Sequence, residues 1–291
     1  QLNIGQFIAA EIVILLILSA VEKLILNLEV AYNILTGIEK LSVISDKKTE
    51  EQGKMPFINS VNGIAVEVKE LNFKFEHGRT LLENLSFSIQ PGANVCIMGD
   101  GGSGKSILLE LIGGTLKNFE GVININGIPI NNINQTEYRK NIGIFYNEQD
   151  IFEGTVYDNI CIGNDNISAN EIMELAEILE INEFISLLPQ GLYSQLQPTG
   201  KGLSTIIAKK ILLLRAIVNK PELLILDEPF ELAGAESSKK IAAYLNGLKN
   251  TTCIVASGYM PYAEKSDLVI WLEKGKIKHI GEPKSILPLV K

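Results

Sequence analysis

Apolar positions predominate over the first 28 residues and are broken into short runs beyond them. Between Leu2 and Leu28 the stretch from Ile12 to Val21 carries no charge, with Glu11 before it and Glu22-Lys23 after it. About 20 such residues cross a bilayer as a helix, and a lone carboxylate is tolerated where it faces other helices or water. No basic stretch precedes the run and no small-residue cleavage site follows, which argues against a signal peptide. The pattern predicts a membrane helix that continues helically from Glu29 to Leu41, and further spans are expected before Gln1. Ser45 to Lys54 is charged and polar and ends near Pro56, the composition of a solvated linker. The expected organisation is a helix with its extension over 1–44, a linker over 45–63 and a folded domain over 64–291.

From Ile64 the periodicity changes to that of strands. Val66, Val68, Phe73 and Phe75 mark one, Leu81 to Ile89 a second, and Pro91-Gly92 a turn before the apolar run Val95-Cys96-Ile97-Met98. Val122 to Ile125 runs into the hairpin dipeptide Asn126-Gly127, and Ile142 to Phe145 is a further strand. Ser168 to Glu171 forms a capping box before apolar residues at helical spacing, and Leu203 to Val218 repeats that spacing. Leu223 to Leu226 is uniformly apolar, as in strands covered on both faces. Glu236 to Leu248 reads as a helix, Thr252 to Ala256 as a strand, and Leu268 to Ile280 as a strand pair turning at Lys274-Gly275. Alternating strands and helices predict an α/β domain with a mainly parallel sheet.

At 291 residues the chain buries a sizeable core, and its net charge of −8 argues against a nucleic-acid partner. Cys96 and Cys253 lie in apolar strands and read as buried thiols. Only two histidines are present, His77 and His279.

Gly99-Asp100-Gly101-Gly102-Ser103-Gly104-Lys105-Ser106 fits G-x-x-x-x-G-K-[ST] between a strand and a helix that begins near Ile107. In that setting successive backbone N–H groups converge on an anion, and the helix start adds further donors. Lys105 then reaches the β- and γ-phosphates of a nucleotide and Ser106 ligates Mg²⁺. Downstream, Asp227 and Glu228 end an apolar strand at the edge where open α/β sheets bind ligands. Asp227 suits a magnesium ligand, and Glu228 a base that takes a proton from an attacking water.

This order of motifs, with Leu203-Ser204 at a helix start and Leu-Leu-Ile-Leu-Asp-Glu-Pro after it, resembles the nucleotide-binding domain of ABC transporters. Ile151-Phe152 and Thr155 to Ile160 look like the stretch after the family's Q-loop that faces the membrane domain. Helix, charged linker and ATPase domain together are similar to the last transmembrane helix and ATPase of exporter-type half-transporters. The resemblance implies a P-loop NTPase of ABC ATPase type, with an antiparallel β subdomain and a helical subdomain. It further implies ATP and Mg²⁺ as cofactors, a second nucleotide-binding domain in a homo- or heterodimer, a transmembrane domain as partner, and a membrane protein whose ATPase domain lies in the cytoplasm. Glu228 and Lys105 are the catalytic candidates; Phe75, the loop 99–106, Ile107 and Ser204 bind nucleotide, Phe75 stacking on adenine through its ring face. Ser106, Asp227 and Asn147 are the metal candidates.

The chain departs from the family at four places. The LSGGQ signature reads Leu203-Ser204-Thr205-Ile206-Ile207, where β-branched bulk replaces glycine. The Q-loop glutamine falls on Asn147, one methylene shorter, and Gln149 substitutes only by a shift. The H-loop histidine falls on Ser257, and the D-loop reads Glu231-Leu232-Ala233-Gly234. The leading expectation is a slowly hydrolysing ATP-binding domain of an exporter. The alternatives are a degenerate regulatory half of a heterodimer or an ATP switch with little turnover, and a soluble ABC ATPase, against which the apolar segment argues.

Overall fold

The computed structural model describes residues 3–47, 50, 53–58, 60–75, 78, 80–146, 148–164, 166–231 and 234–289. The chain divides into two compact units, the first ending at Glu51 and the second beginning at Gln52.

The first unit is one helix, α1 (Ile4–Ser45), of 42 residues, none of them buried. At 1.5 Å per residue it reaches about 63 Å, twice the hydrocarbon thickness of a bilayer. By length and composition it is apolar enough to cross one, with a mean hydropathy of 2.3 over its best 18 residues. Its small polar side chains return hydrogen bonds to their own backbone: Ser19 Oγ donates to Leu16 O (3.0 Å) and Thr36 Oγ1 to Tyr32 O (2.9 Å). Such internal satisfaction is what an apolar solvent demands.

The second unit opens with β1 (Val66–Lys74), β2 (Thr80–Ile89) and β3 (Asn94–Met98), followed by α2 (Lys105–Ile112), β4 (Glu120–Ile125) and β5 (Ile128–Pro129). Next come α3 (Gln135–Lys140), β6 (Ile142–Phe145), β7 (Gly154–Thr155), α4 (Val156–Cys161), α5 (Ala169–Ile178), α6 (Asn182–Leu187) and β8 (Gln195–Leu196). It closes with α7 (Thr205–Val218), β9 (Leu223–Asp227), α8 (Ala235–Asn246), β10 (Thr252–Ala256), α9 (Met260–Ala263), β11 (Leu268–Glu273), β12 (Lys276–Gly281) and α10 (Pro283–Ile286). Six strands form the central sheet in the order β12-β11-β3-β10-β9-β6, parallel throughout except for the β11/β12 hairpin. A second, antiparallel sheet has the order β2-β1-β4-β5.

Strand alternation sends side chains of the central sheet into two cores. Cys96, Met98, Leu224, Leu226, Cys253 and Val255 join the helical side, where the buried face of α7 packs. Val95, Ile97, Leu223, Ile225, Ile254 and Ala256 join the other core, with α2 and the antiparallel sheet. Both faces are covered, so the strands read as continuous apolar runs rather than alternating ones. All three cysteines are buried, and burial pushes the thiols of Cys96 and Cys253 up to about 12.

Helix α2 is held at its far end by Tyr138 of α3, a fully buried side chain whose hydroxyl donates to Ile112 O at 2.8 Å. Tyr138→Phe leaves that buried carbonyl without its partner and is expected to destabilise the domain by about 1–3 kcal/mol, read as a lower urea midpoint at unchanged slope.

Candidate nucleotide site

The phosphate loop is built by the end of a fully buried strand. β3 delivers the chain to Gly99, and α2 begins at Lys105 with Gly104 as its cap in the left-handed conformation (φ 102°). At Gly99 (φ 146°) a Cβ would collide with the carbonyl oxygen of Leu272 on β11, so close approach of two strands demands glycine there. The loop is stitched by Ser103 N–H to Asp100 O (3.1 Å) and Gly275 N–H to Ser103 O (3.1 Å). Lys105 Nζ donates to the carbonyls of Gly99 (2.7 Å) and Asp100 (3.3 Å), which aims its ammonium into the turn.

Three features fit this loop to a polyphosphate. No side chain caps the first amides of α2. Ser103 Oγ is buried and has no hydrogen-bond partner among the described residues, and a Cβ on Gly101 or Gly102 would meet none of their atoms. Unused donors around an open concavity are an anion site. Asp100 and Ser106 are exposed at the rim, and Ile107 is half-buried.

Asp227 ends β9 and is 7% exposed. It stands level with Ala256 of β10, which in turn stands level with Ile97, so the carboxylate and the phosphate loop emerge from the same edge of the sheet. The oxygen donors Ser106 and Asp227 suit a hard cation that keeps phosphates and waters as its other ligands. Among the described residues no group of three or more His, Cys, Asp or Glu is placed to hold a metal unaided. Asn147, the third metal candidate, lies outside the described residues.

Glu228 adopts φ 49° and donates its N–H to Ala256 O at 2.9 Å. Burial raises its carboxyl above the ordinary range; the Ser257 hydroxyl and the Lys105 charge pull it back, while Glu231 and Asp227 push it up. Glu110 of α2 is raised by burial too, and by Glu148 and Asp227. A cation between these carboxylates and the phosphates would relieve that repulsion.

Of the four departures from the family pattern, the signature and the H-loop position lie within the described residues, whereas Asn147 and much of the D-loop do not. Ser257 is buried, and its Oγ accepts the N–H of Tyr259 at 3.1 Å. Gln149 is spent on its own turn, accepting from Tyr146 N–H and donating to Ile144 O, each at 3.4 Å. Ser204 caps α7 by accepting Ile207 N–H at 3.2 Å, with Ile206 beside it 52% exposed. Leu232 and Ala233, like His77, lie outside the described residues, and His279 stands on β12 at the far edge of the sheet. Among the described residues no hydrogen bond joins Ser204 to the phosphate loop. Phe75 is exposed, with its ring held edge-on by Phe73 at 5.5 Å.

One cluster gave no signal in the sequence. Arg215 of α7 is half-buried, and desolvation pushes its guanidinium down to about 10. Its Nε donates to Asn159 O (2.6 Å), Nη2 to Asn159 Oδ1 (3.0 Å) and Nη1 to Asp150 O (3.4 Å), and it lies 5.5 Å from the Phe152 ring. Asn159 in turn accepts Phe152 N–H (3.1 Å) and donates to Phe152 O (2.9 Å). The loop after β6 is thereby tied to the helix that starts at Ser204.

Residues 82–231, just over half of the chain, match the family profile of the ABC transporter. The "Multidrug resistance-like ATP-binding protein MdlA" of Buchnera aphidicola is 32% identical over 86% of this chain and 44% of its own length. The "ATP-dependent lipid A-core flippase" of Saccharophagus degradans is 28% identical over 87% of this chain and 43% of its own. A solved bacterial Atm1-family ABC exporter with ATP bound superimposes with a TM-score of 0.78 at 26% identity, over 88% of this chain and 45% of that one. The chain spans less than half the length of the curated relatives it matches. Phosphate-loop motif, aspartate–glutamate pair at the strand end, sheet order and these likenesses agree: the chain belongs to the ABC transporter family and carries its ATP-binding domain C-terminal in sequence to a long apolar helix.

Proposed function

We propose that this chain is the ATPase part of a membrane exporter, binding MgATP at the loop 99–106 and hydrolysing it slowly. Lys105 neutralises the β- and γ-phosphates, and the amides of Gly101 to Ile107 hold their oxygens. Ser106 and Asp227 would hold Mg²⁺, which when bound shields the phosphate charge, and Asn147 would complete the set. Glu228 takes the proton of the water that attacks the γ-phosphorus, with ADP as the leaving group; a carboxyl raised by burial suits that role. Phe75 offers its ring face to the base. Ser204 addresses the nucleotide of a second domain packed head to tail. The observation that carries the reading is that Asp227-Glu228 leaves β9 at the same edge of the sheet from which β3 delivers the loop that bears Lys105.

Glu228→Gln is expected to lower ATP turnover at least about a hundredfold while ATP affinity stays within a factor of a few, as measured by phosphate release and by titration of a fluorescent ATP analogue. Turnover equal to the parent's would overturn the assignment of the base.

A second reading, a degenerate regulatory half that binds ATP with little turnover, is favoured by the bulk of Thr205 and Ile206 at the signature, which opposes closure on the nucleotide. Turnover measured together with the membrane partner separates the two.

Helix α1 is taken as the last membrane span, with residues 1–44 as its unit, 45–63 as the connection and 64–291 as the ATPase domain. The chain from Gly53 onward is expected to remain in solution without detergent, whereas the full chain needs detergent to stay monodisperse. Gel filtration of both reads the difference, and a full chain that elutes as a monomer without detergent counts against the span.

A further inference from the structure

The chain between α1 and β1 is fastened to the domain along much of its length. Met55 N–H donates to Asn132 O (2.9 Å) and Met55 O accepts from Asn134 N–H (2.8 Å), a parallel bridge around Ile133. Phe57 N–H donates to Glu137 Oε2 (2.8 Å) and Ser60 N–H to Glu222 Oε2 (2.9 Å), both bonds assisted by charge. Asn126 Nδ2 donates to Ile58 O (2.9 Å), and the Phe57 ring lies 5.9 Å from that of Tyr138. At Gly53 a Cβ would collide with the backbone of Asn132 and Ile133, so only glycine passes there.

Three of these anchors, Asn134, Glu137 and Glu222, lie next to the starts of strands β6 and β9. Glu137 and Asn134 belong to α3 and its cap, directly before β6. Glu222 directly precedes β9; its N–H donates to Asn141 O (2.9 Å) and its carbonyl accepts Thr252 N–H (2.9 Å), which knits together the starts of β6, β9 and β10. The opposite ends of β6 and β9 lead to the loop 146–150 and to Asp227-Glu228.

We infer that residues 53–58 and Ser60 form a strap that joins the membrane-side chain to the starts of β6 and β9, with Gly53, Glu137 and Glu222 as its positioning residues. A displacement of either strand on nucleotide binding then reaches the chain from α1 at Gly53, ahead of β1. Only residues 46–52 of the 45–63 connection lie between the helix end and the strap. The importance of the strap for transport rests on the membrane-exporter reading, whereas its fastening stands on contacts within the domain.

Limited trypsin digestion of the full chain in detergent tests this, because cleavage after Lys54 requires the strap to lift and cleavage after Lys47 does not. In the parent, Lys54 is expected to be cut at least about tenfold more slowly than Lys47. Gly53→Ala, and separately Glu137→Ala with Glu222→Ala, should bring the two rates together while leaving affinity for a fluorescent ATP analogue and the melting temperature of the domain unchanged. Saturating MgATP should change the Lys54 rate in the parent and leave it unchanged in a Lys105→Ala chain. Equal cleavage at Lys47 and Lys54 in the parent overturns the strap, as does a rate ratio insensitive to the substitutions. A Lys54 rate that ignores MgATP, in a chain shown to bind the analogue, overturns its link to the nucleotide site. A chain that binds no analogue overturns the ATP reading instead and leaves the cleavage ratio to decide the fastening.

Discussion

Lys105→Ala is expected to weaken ATP binding by at least about a hundredfold. The ammonium is the one compact positive charge held inside the loop, where it touches the carbonyls of Gly99 and Asp100. Hydrogen bonds to charged groups contribute about 1.5–3 kcal/mol each, and loss of two such contacts to phosphate corresponds to roughly 3 kcal/mol or more, a factor of at least about one hundred in affinity. Alanine also removes the donor that satisfies the two loop carbonyls, so melting of the unliganded domain is the control for a collapsed loop. Titration of a fluorescent ATP analogue gives the affinity, and a value equal to the parent's would overturn the assignment of the loop. Arginine is not a conservative replacement here, because its planar fork is wider than the point charge that the turn encloses.

The second large effect concerns the signature. Thr205 and Ile206 are the first two residues of α7, directly after the cap Ser204, and Ile206 is an exposed aliphatic side chain where, on the proposed head-to-tail pairing, a partner's nucleotide would approach the backbone. Forcing such bulk against a docked nucleotide costs about 1–3 kcal/mol per site. The double change Thr205→Gly, Ile206→Gly, made together with Glu228→Gln to block turnover, is therefore expected to strengthen ATP-dependent dimerisation at least about tenfold. The same glycines should lower the stability of the unliganded domain by roughly 0.5–1 kcal/mol each, through the entropy of the unfolded chain. The opposite signs separate docking from general stabilisation. Light scattering with and without MgATP, alongside thermal melting, reads both; a variant that stays monomeric with ATP moves the fault to Ser257 or Asn147, or to the need for a different partner.

The candidate nucleotide site was legible in the sequence to the extent that its parts are contiguous. Strand, turn and helix around Gly99 to Ser106 lie within about twenty residues, and the backbone geometry of such a turn follows from which positions are glycine and which begin the helix. Asp227 and Glu228 were legible for the same reason, as the polar end of a uniformly apolar strand. Ser168 caps α5 through Glu171, three positions away, and Asn126-Gly127 turns β4 directly into β5, so those elements form where the sequence places them.

What the sequence left open depends on partners brought together only by the packed fold. Ser45 to Lys54 reads as solvated from its composition and 45–63 as the connection, yet Ser60 is held by a carboxylate 162 positions away and Met55 pairs beside Ile133, so residues 53–58 and Ser60 lie against the domain. From its spacing Gln149 substitutes for the Q-loop glutamine only by a shift, and in the fold its amide closes its own turn on Tyr146 and Ile144. Arg215 sat unremarked on an apolar helix face, and it became a fastening only where Asn159, 56 positions earlier, offers its carbonyl and side-chain oxygens. Periodicity encodes which face of an element is buried. It does not encode which buried carbonyl or carboxylate waits on the other side, because that is set by sheet order and register: β3 lies between β10 and β11, and β9 between β10 and β6. The sequence by itself determined the phosphate loop, the acidic pair and the elements that bear them. The tertiary structure alone decided which distant backbone groups those elements grip, because long-range hydrogen bonds depend on packing that no local pattern records.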